Sequence, residues 1–153
     1  AKIVLCSDGR VFSDLVGMAE DDVTKYQSEL SRLIDQQSLT HLDIFNLEYY
    51  YGNTSYKKMR AHLMSQFGTP LDTIKKKVRA GARPGAITDE QETHRLYCGI
   101  TRFLFEDTQY AGQMRSKSSL QKEAREKAYQ VIGRSQAWGE LIASQYPEAI
   151  RLS

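Results

Sequence analysis

The segment Lys2-Ile3-Val4-Leu5-Cys6-Ser7-Asp8-Gly9 decides the fold. Its first five residues form a short continuous run dominated by strand formers, and Ser7-Asp8-Gly9 supplies the turn residues that end it. This reads as a buried strand leading into a loop. Downstream, Val23, Tyr26, Leu30, Leu33 and Ile34 recur at helical spacing, preceded by Glu20, Asp21 and Asp22 where negative charge suits a helix dipole. The spacing predicts an amphipathic helix over residues 21–37. Leu42-Asp43-Ile44-Phe45-Asn46-Leu47 then mixes alternation and aliphatic bulk in the manner of a second strand. Strand, helix, strand predicts a parallel βαβ unit, because parallel neighbours need a long crossover between them.

The remainder reads as helical. Ser55 is placed to cap a helix carrying Met59, Leu63, Met64 and Phe67 on one face, with Gly68 as its stop. Thr69-Pro70 opens another, with Pro at the first helical position, Leu71, Ile74 and Val78 inward and Gly81 at its end. Residues 80–86 form the one linker-like stretch. Thr88 with Gln91 and Glu92 resembles a capping box, and the helix it opens carries Leu96, Ile100, Phe103 and Leu104 inward. A long helix over residues 118–145 aligns Leu120, Ala124, Ala128, Val131, Ile132, Trp138, Leu141 and Ile142. After Pro147, Ala149-Ile150-Arg151-Leu152-Ser153 reads as the start of a further strand. The expected architecture is α/β: a Rossmann-like three-layer core with a short, mostly parallel sheet and a helix-rich second half, in one domain over residues 1–153.

Composition bounds the function. A chain of 153 residues, 41% hydrophobic and 26% charged, suits a single compact domain with a real core, which removes disordered, collagen-like and disulfide-scaffold readings. No apolar run approaches the roughly 18–20 residues that cross a bilayer, so no membrane partner is expected. Formal charge is +2 from 21 basic and 19 acidic residues, which creates no global field for a nucleic acid. Cys6 and Cys98 lie far apart without repeated spacing and read as reduced, buried thiols of a cytoplasmic protein. No secretory signal opens the sequence, and its abrupt ends read as those of a piece excised from a longer protein.

In open parallel sheets, ligands sit beyond the carboxyl ends of the strands. That rule points to Ser7-Asp8-Gly9-Arg10-Val11-Phe12-Ser13-Asp14, which packs two carboxylates, a guanidinium and two hydroxyls into one stretch. The alternative is local: Asp8 or Ser13 capping backbone, with Arg10 paired to Asp14. Gly9 stands alone, so neither a dinucleotide fingerprint nor a P-loop is present. Lys57, Lys58, Arg60, Lys75, Lys76, Lys77, Arg79 and Arg83 form a basic tract. Such tracts are commonly solvated helix faces, and a phosphate-bearing ligand is the functional alternative. His94 and Cys98 stand one helical turn apart without a second ligand pair, and His41 and His62 lack ligand spacing, so no metal site is expected. No nucleophile elbow occurs. Tyr49-Tyr50-Tyr51-Gly52 reads as a half-buried rim or as a stacking surface for an aromatic substrate. Arg102, Lys117, Arg134 and Arg151 are further cations; Arg134 falls near the apolar stripe of its helix, where a guanidinium needs an anionic partner, either Asp8 or Asp14 or a substrate anion.

Four stretches together carry a resemblance: residues 7–17, residues 96–107 (Leu96-Tyr97-Cys98-Gly99-Ile100-Thr101-Arg102-Phe103-Leu104-Phe105-Glu106-Asp107), residues 116–138, and Ile150-Arg151-Leu152-Ser153. In these the chain resembles the pyoverdine/dityrosine biosynthesis family of isocyanide (isonitrile) synthases, and looks most similar to its fungal members. The resemblance implies that the amine of an amino acid, often tyrosine or tryptophan but also an aliphatic one, condenses with ribulose 5-phosphate, whose carbon 2 becomes the isocyanide carbon. It also implies that no metal or redox cofactor serves the synthase step, that a fused or partner iron/2-oxoglutarate oxygenase often follows it, and that members run about twice this length. A relative forming N-formyl-tyrosine for spore-wall dityrosine, and a non-catalytic phosphosugar-binding module, are the alternatives.

Such a condensation needs an acid for the departing carbinol oxygen and a base for later carbon–carbon cleavage. Asp8 and Asp14 are the catalytic candidates. Ser7, Arg10, Lys117, Arg134 and Arg151, with Arg102 in addition, are the candidate substrate-binding residues, the cations serving to clamp a dianionic phosphate.

Overall fold

The computed structural model describes residues 1–110 and 115–152. Among them are two strands, β1 (Ile3–Ser7) and β2 (Leu42–Asn46), and seven helices: α1 (Gly9–Val16), α2 (Glu20–Gln36), α3 (Leu47–Tyr51), α4 (Tyr56–Phe67), α5 (Leu71–Gly81), α6 (Thr88–Tyr110) and α7 (Lys117–Gln145). The protein is α/β, as the sequence predicts, with a short parallel sheet and a helix-rich second half. The chain forms two compact units. One comprises Ala1–Phe67 together with the chain from Trp138 onward, the other Gly68–Ala137.

In the first unit β1 and β2 pair in parallel, in register from Ile3 against Leu42 to Ser7 against Asn46. Phe45 centres the core: it is buried, stacks on Trp138 at 5.5 Å between centroids, and meets Tyr49 and Tyr146 edge-on. Val11, Leu15, Val23, Leu47, Met59, Leu63 and Leu141 are buried with it. Here aromatic geometry adds to what area burial alone supplies.

Three expectations need correction in this unit. Residues 9–14 form no loop. The chain passes from β1 straight into α1, because Arg10, Val11, Ser13 and Leu15 all turn inward and Gly17, at φ 72°, closes the helix in the left-handed region that glycine tolerates. Gly9 therefore serves close packing: a Cβ there would lie 3.2 Å from Cγ1 of Val23 on α2. Secondly, β1 is not buried; Ile3 is 52% exposed and Leu5 37%, since a two-stranded ladder leaves β1 as an edge. Finally, residues 150–152 form no strand, because the only ladder among the described residues joins β1 to β2 and offers them no pairing. Ser153, expected in that strand, lies outside the described residues.

In the second unit Ile74 and Val78 of α5 pack with Ile132 of α7, and Tyr97, Ile100 and Tyr129 cover them. Helices α5 and α6 approach so closely at Gly81 that a Cβ there would sit 2.0 Å from the Glu90 carbonyl oxygen. The expected capping box is absent: Gln91 donates its side-chain amide to the Ala86 carbonyl instead, at 3.1 Å. Leu96 and Phe103, expected inward, are exposed. Both thiols are free, and Cys6 and Cys98 are exposed rather than buried. No helix among the described residues is long and apolar enough to cross a membrane.

Candidate active site

The carboxyl ends of the two parallel strands deliver Ser7, with Asp8 beyond it, from β1 and Asn46, with Glu48 beyond it, from β2. Asn46 caps α3, its Oδ1 accepting from the Tyr49 amide at 2.8 Å. Asp8 occupies the N-cap of α1 but makes no side-chain cap bond, and its carboxylate is exposed. Ser7 is half-buried.

Beneath this edge lies a network of two guanidiniums and three carboxylates. Arg10 on α1 is buried. It donates from Nε to Glu48, from Nη1 to both the backbone oxygen of Glu20 (2.9 Å) and Oε2 of Glu20 (2.5 Å), and from Nη2 to the Thr24 hydroxyl (2.7 Å). Its guanidinium also lies 3.8 Å above the Tyr56 ring. Arg60 on α4, likewise buried, donates to the Arg10 backbone oxygen (2.8 Å), to the Ser13 hydroxyl and to Oε1 of Glu20, both at 2.5 Å, and stands 3.4 Å from Oδ1 of Asp14. Ser13 passes its own hydrogen to Oε1 of Glu20 at 2.8 Å. Gln27 reaches the second oxygen of Glu48 at 3.4 Å.

Glu20 is the node that joins α1, α2 and α4. Burial raises its carboxyl pKa, but bonds from Arg10, Arg60 and Ser13 outweigh burial and hold it below the usual carboxylate range. Burial likewise pulls Arg10 down, and Glu48 and Glu20 more than restore it, so it is held above its ordinary value. Asp14 is partly open to water at the margin of the network.

Arg10 is therefore occupied by its own chain's carboxylates and sits under the strand edge. Arg151 contrasts with it: exposed, without a carboxylate partner among the described residues, and close enough to the end of β1 to act on Cys6. Burial pushes the Cys6 thiol up, and the Arg151 charge opposes that rise. The first unit thus brings Ser7, Asp8, Arg10, Asp14 and Arg151 into one body. Arg102, Lys117 and Arg134 belong to the second. There Arg102 is exposed and pairs with Glu106 one turn on, Lys117 opens α7 in solvent, and Arg134 is half-buried. His94 and Cys98 meet at 3.6 Å, and no group of three or more metal-binding side chains occurs among the described residues.

Sequence reasoning missed Glu20, Glu48, Thr24 and Tyr56, and left Arg60 inside a basic tract. The strand-end rule carries the signal for one of them: Glu48 follows β2 as Asp8 follows β1.

These features define a class: a helix-rich α/β protein whose parallel strands end on an acid-rich edge braced by buried guanidiniums. The chain belongs to the pyoverdine/dityrosine biosynthesis protein family, whose sequence pattern matches residues 1–153. It is 40% identical over 161 residues to an L-tyrosine isonitrile synthase of Xenorhabdus nematophila, covering 100% of this chain and 44% of that protein. It is 37% identical over 153 residues to the L-tryptophan isonitrile synthase AmbI2 of Fischerella ambigua, covering 100% and 44%. The crystal structure of the PvcA protein from Pseudomonas aeruginosa superimposes with a TM-score of 0.83 at 40% identity, over 100% of this chain and 48% of that one. The chain thus spans under half the length of these relatives.

Proposed function

We propose that this chain is the central α/β portion of an isonitrile synthase that condenses the amine of an aromatic amino acid with ribulose 5-phosphate. The observation that carries the reading is the pairing of family membership over residues 1–153 with a carboxylate-bearing edge at the ends of two parallel strands. Relatives named for tyrosine and tryptophan support an aromatic substrate.

In this reading Asp8 and Asp14 are the acid and base. Imine formation at carbon 2 of the sugar phosphate expels water and needs a proton delivered to the carbinol oxygen; cleavage of the bonds that free carbon 2 needs a base. Asp8 is exposed at the strand end and committed to no cap bond, so it is available to a substrate. Asp14 is open to water on one side and steadied by Arg60 on the other. The phosphate falls to Arg151, the guanidinium near the β1 end with no carboxylate partner among the described residues, while Arg10 and Arg60 fix the floor. Ser7 offers a hydroxyl to the sugar.

The test incubates the full-length polypeptide that carries this chain with tyrosine or tryptophan and ribulose 5-phosphate labelled with carbon-13 at carbon 2. An isonitrile one mass unit heavier is expected by mass spectrometry. An isonitrile without label removes the sugar phosphate from the reading. Absence of any isonitrile, labelled or not, with the protein folded, removes the synthase.

A further inference from the structure

The second unit holds a groove between α6 and α7 that the reaction proposed above does not use. Tyr97, Thr101 and Phe105 follow one another at intervals of one turn on α6, and Gln121 and Arg125 do so on α7, so each helix presents one column of side chains to the other. The stacked rings of Tyr97 and Tyr129, 4.6 Å between centroids, hold the helices apart at one end. The cavity has a volume of about 320 Å³, inside the range of roughly 300–1,000 Å³ that small-ligand clefts occupy.

Its lining sets the ligand chemistry. No carboxylate of the described residues lines it, whereas two guanidiniums do. Arg125 makes no ion pair among the described residues, and its charge reaches the Tyr97 phenol. Arg102 has a single partner among them, Glu106 at 3.3 Å on an exposed helix face, a pairing of the kind worth little in water. The Thr101 hydroxyl is buried within reach of Tyr97 but without a hydrogen bond of good geometry, so a polar group remains to be satisfied. The rest of the wall is the rings of Tyr97 and Phe105, the Cys98 thiol and the side-chain amide of Gln121. Burial, and then Tyr129, push Tyr97 up to about 12, so its phenol stays neutral and adds no negative charge. A guanidinium fork matches a carboxylate, and flat rings take a flat apolar body.

We propose that this groove binds a small aromatic carboxylate, with Arg125 as the fork for the carboxylate, Arg102 as a supporting charge, and Phe105 and Tyr97 as the walls for the ring. The site stands independently of the condensation proposed for the first unit.

The full-length polypeptide that carries this chain is titrated with 3-phenylpropionate and followed by calorimetry and by amide chemical shifts. Saturable binding is expected, with shifts along residues 97–105 and 121–125. Arg125→Ala should raise the dissociation constant roughly tenfold or more, as loss of a charge-assisted contact does. Arg125→Gln, which keeps the aliphatic stem, serves where the alanine variant loses its fold, and the uncharged 3-phenylpropanamide should bind roughly tenfold more weakly. Absence of saturable binding in the millimolar range, an unchanged constant in both Arg125 variants, or equal binding of the amide each overturns the assignment. Inorganic phosphate binding as tightly as 3-phenylpropionate overturns its aromatic half.

Discussion

Arg10 reaches the interior of the first unit because Glu20, Glu48, Thr24 and the Tyr56 ring all answer its guanidinium. A buried pair of this kind adds little stability over an apolar replacement of the whole network, but removing one partner strands the others. Arg10→Ala should therefore cost about 3–5 kcal/mol, read as a lowered denaturant midpoint; a loss below 1 kcal/mol would mean that the network relaxes freely. Glu20 supplies a pH dependence. Its folded pKa is depressed, so its contribution is fully present above the unfolded glutamate value of about 4.3 and fades as pH falls through the folded value. Urea melts from pH 6 downward should show stability dropping below about pH 4, with a shallower drop in Glu20→Gln; an identical profile in that variant would remove Glu20 from the account. The clustering of charged groups after a strand, over residues 7–14, is legible in the sequence. Glu20 is not, since an acid in the first turn of a helix is already explained by the helix dipole, and Arg60 is hidden among lysines that stay in solvent.

Element by element, the long amphipathic helices follow from periodicity: α2, α4, α5, α6 and α7 lie where apolar spacing puts them. Ser55 does cap α4, accepting from the Lys58 amide at 3.3 Å. Helix α1 reads as a loop in the sequence because Arg10 and Ser13, which are polar, point inward, the reverse of the pattern that identifies a surface helix. The exposure of Ile3, Leu5, Leu96 and Phe103 was illegible as well, since a sequence shows which residues are apolar and not which faces are covered. Close packing of α5 on α6 rests on Gly81. Gly81→Ala would place a methyl on the Glu90 carbonyl, and should destabilise by about 1–3 kcal/mol, measured by thermal melting; Gly85→Ala tests φ strain instead, at a position where a Cβ meets nothing within 4 Å. Equal stability of Gly81→Ala and the parent would mean that the two helices separate without cost.

For the whole molecule, the parallel pair of strands, the family and the helix-rich second half were all readable from 153 residues. The division into two compact units was not, because α7 carries one unbroken apolar stripe through the boundary at Ala137 and Trp138. The central claim is that carboxylates at the strand ends drive a condensation. The full-length polypeptide and its Asp8→Asn variant, given tyrosine and ribulose 5-phosphate labelled at carbon 2, test it through the rate at which carbon-13 enters the amino-acid product. The exposed, uncapped position of Asp8 predicts an unchanged melting temperature, and a general acid–base role predicts a rate lower by roughly 100-fold or more. Label transfer at the parental rate in a folded Asp8→Asn protein would contradict the account.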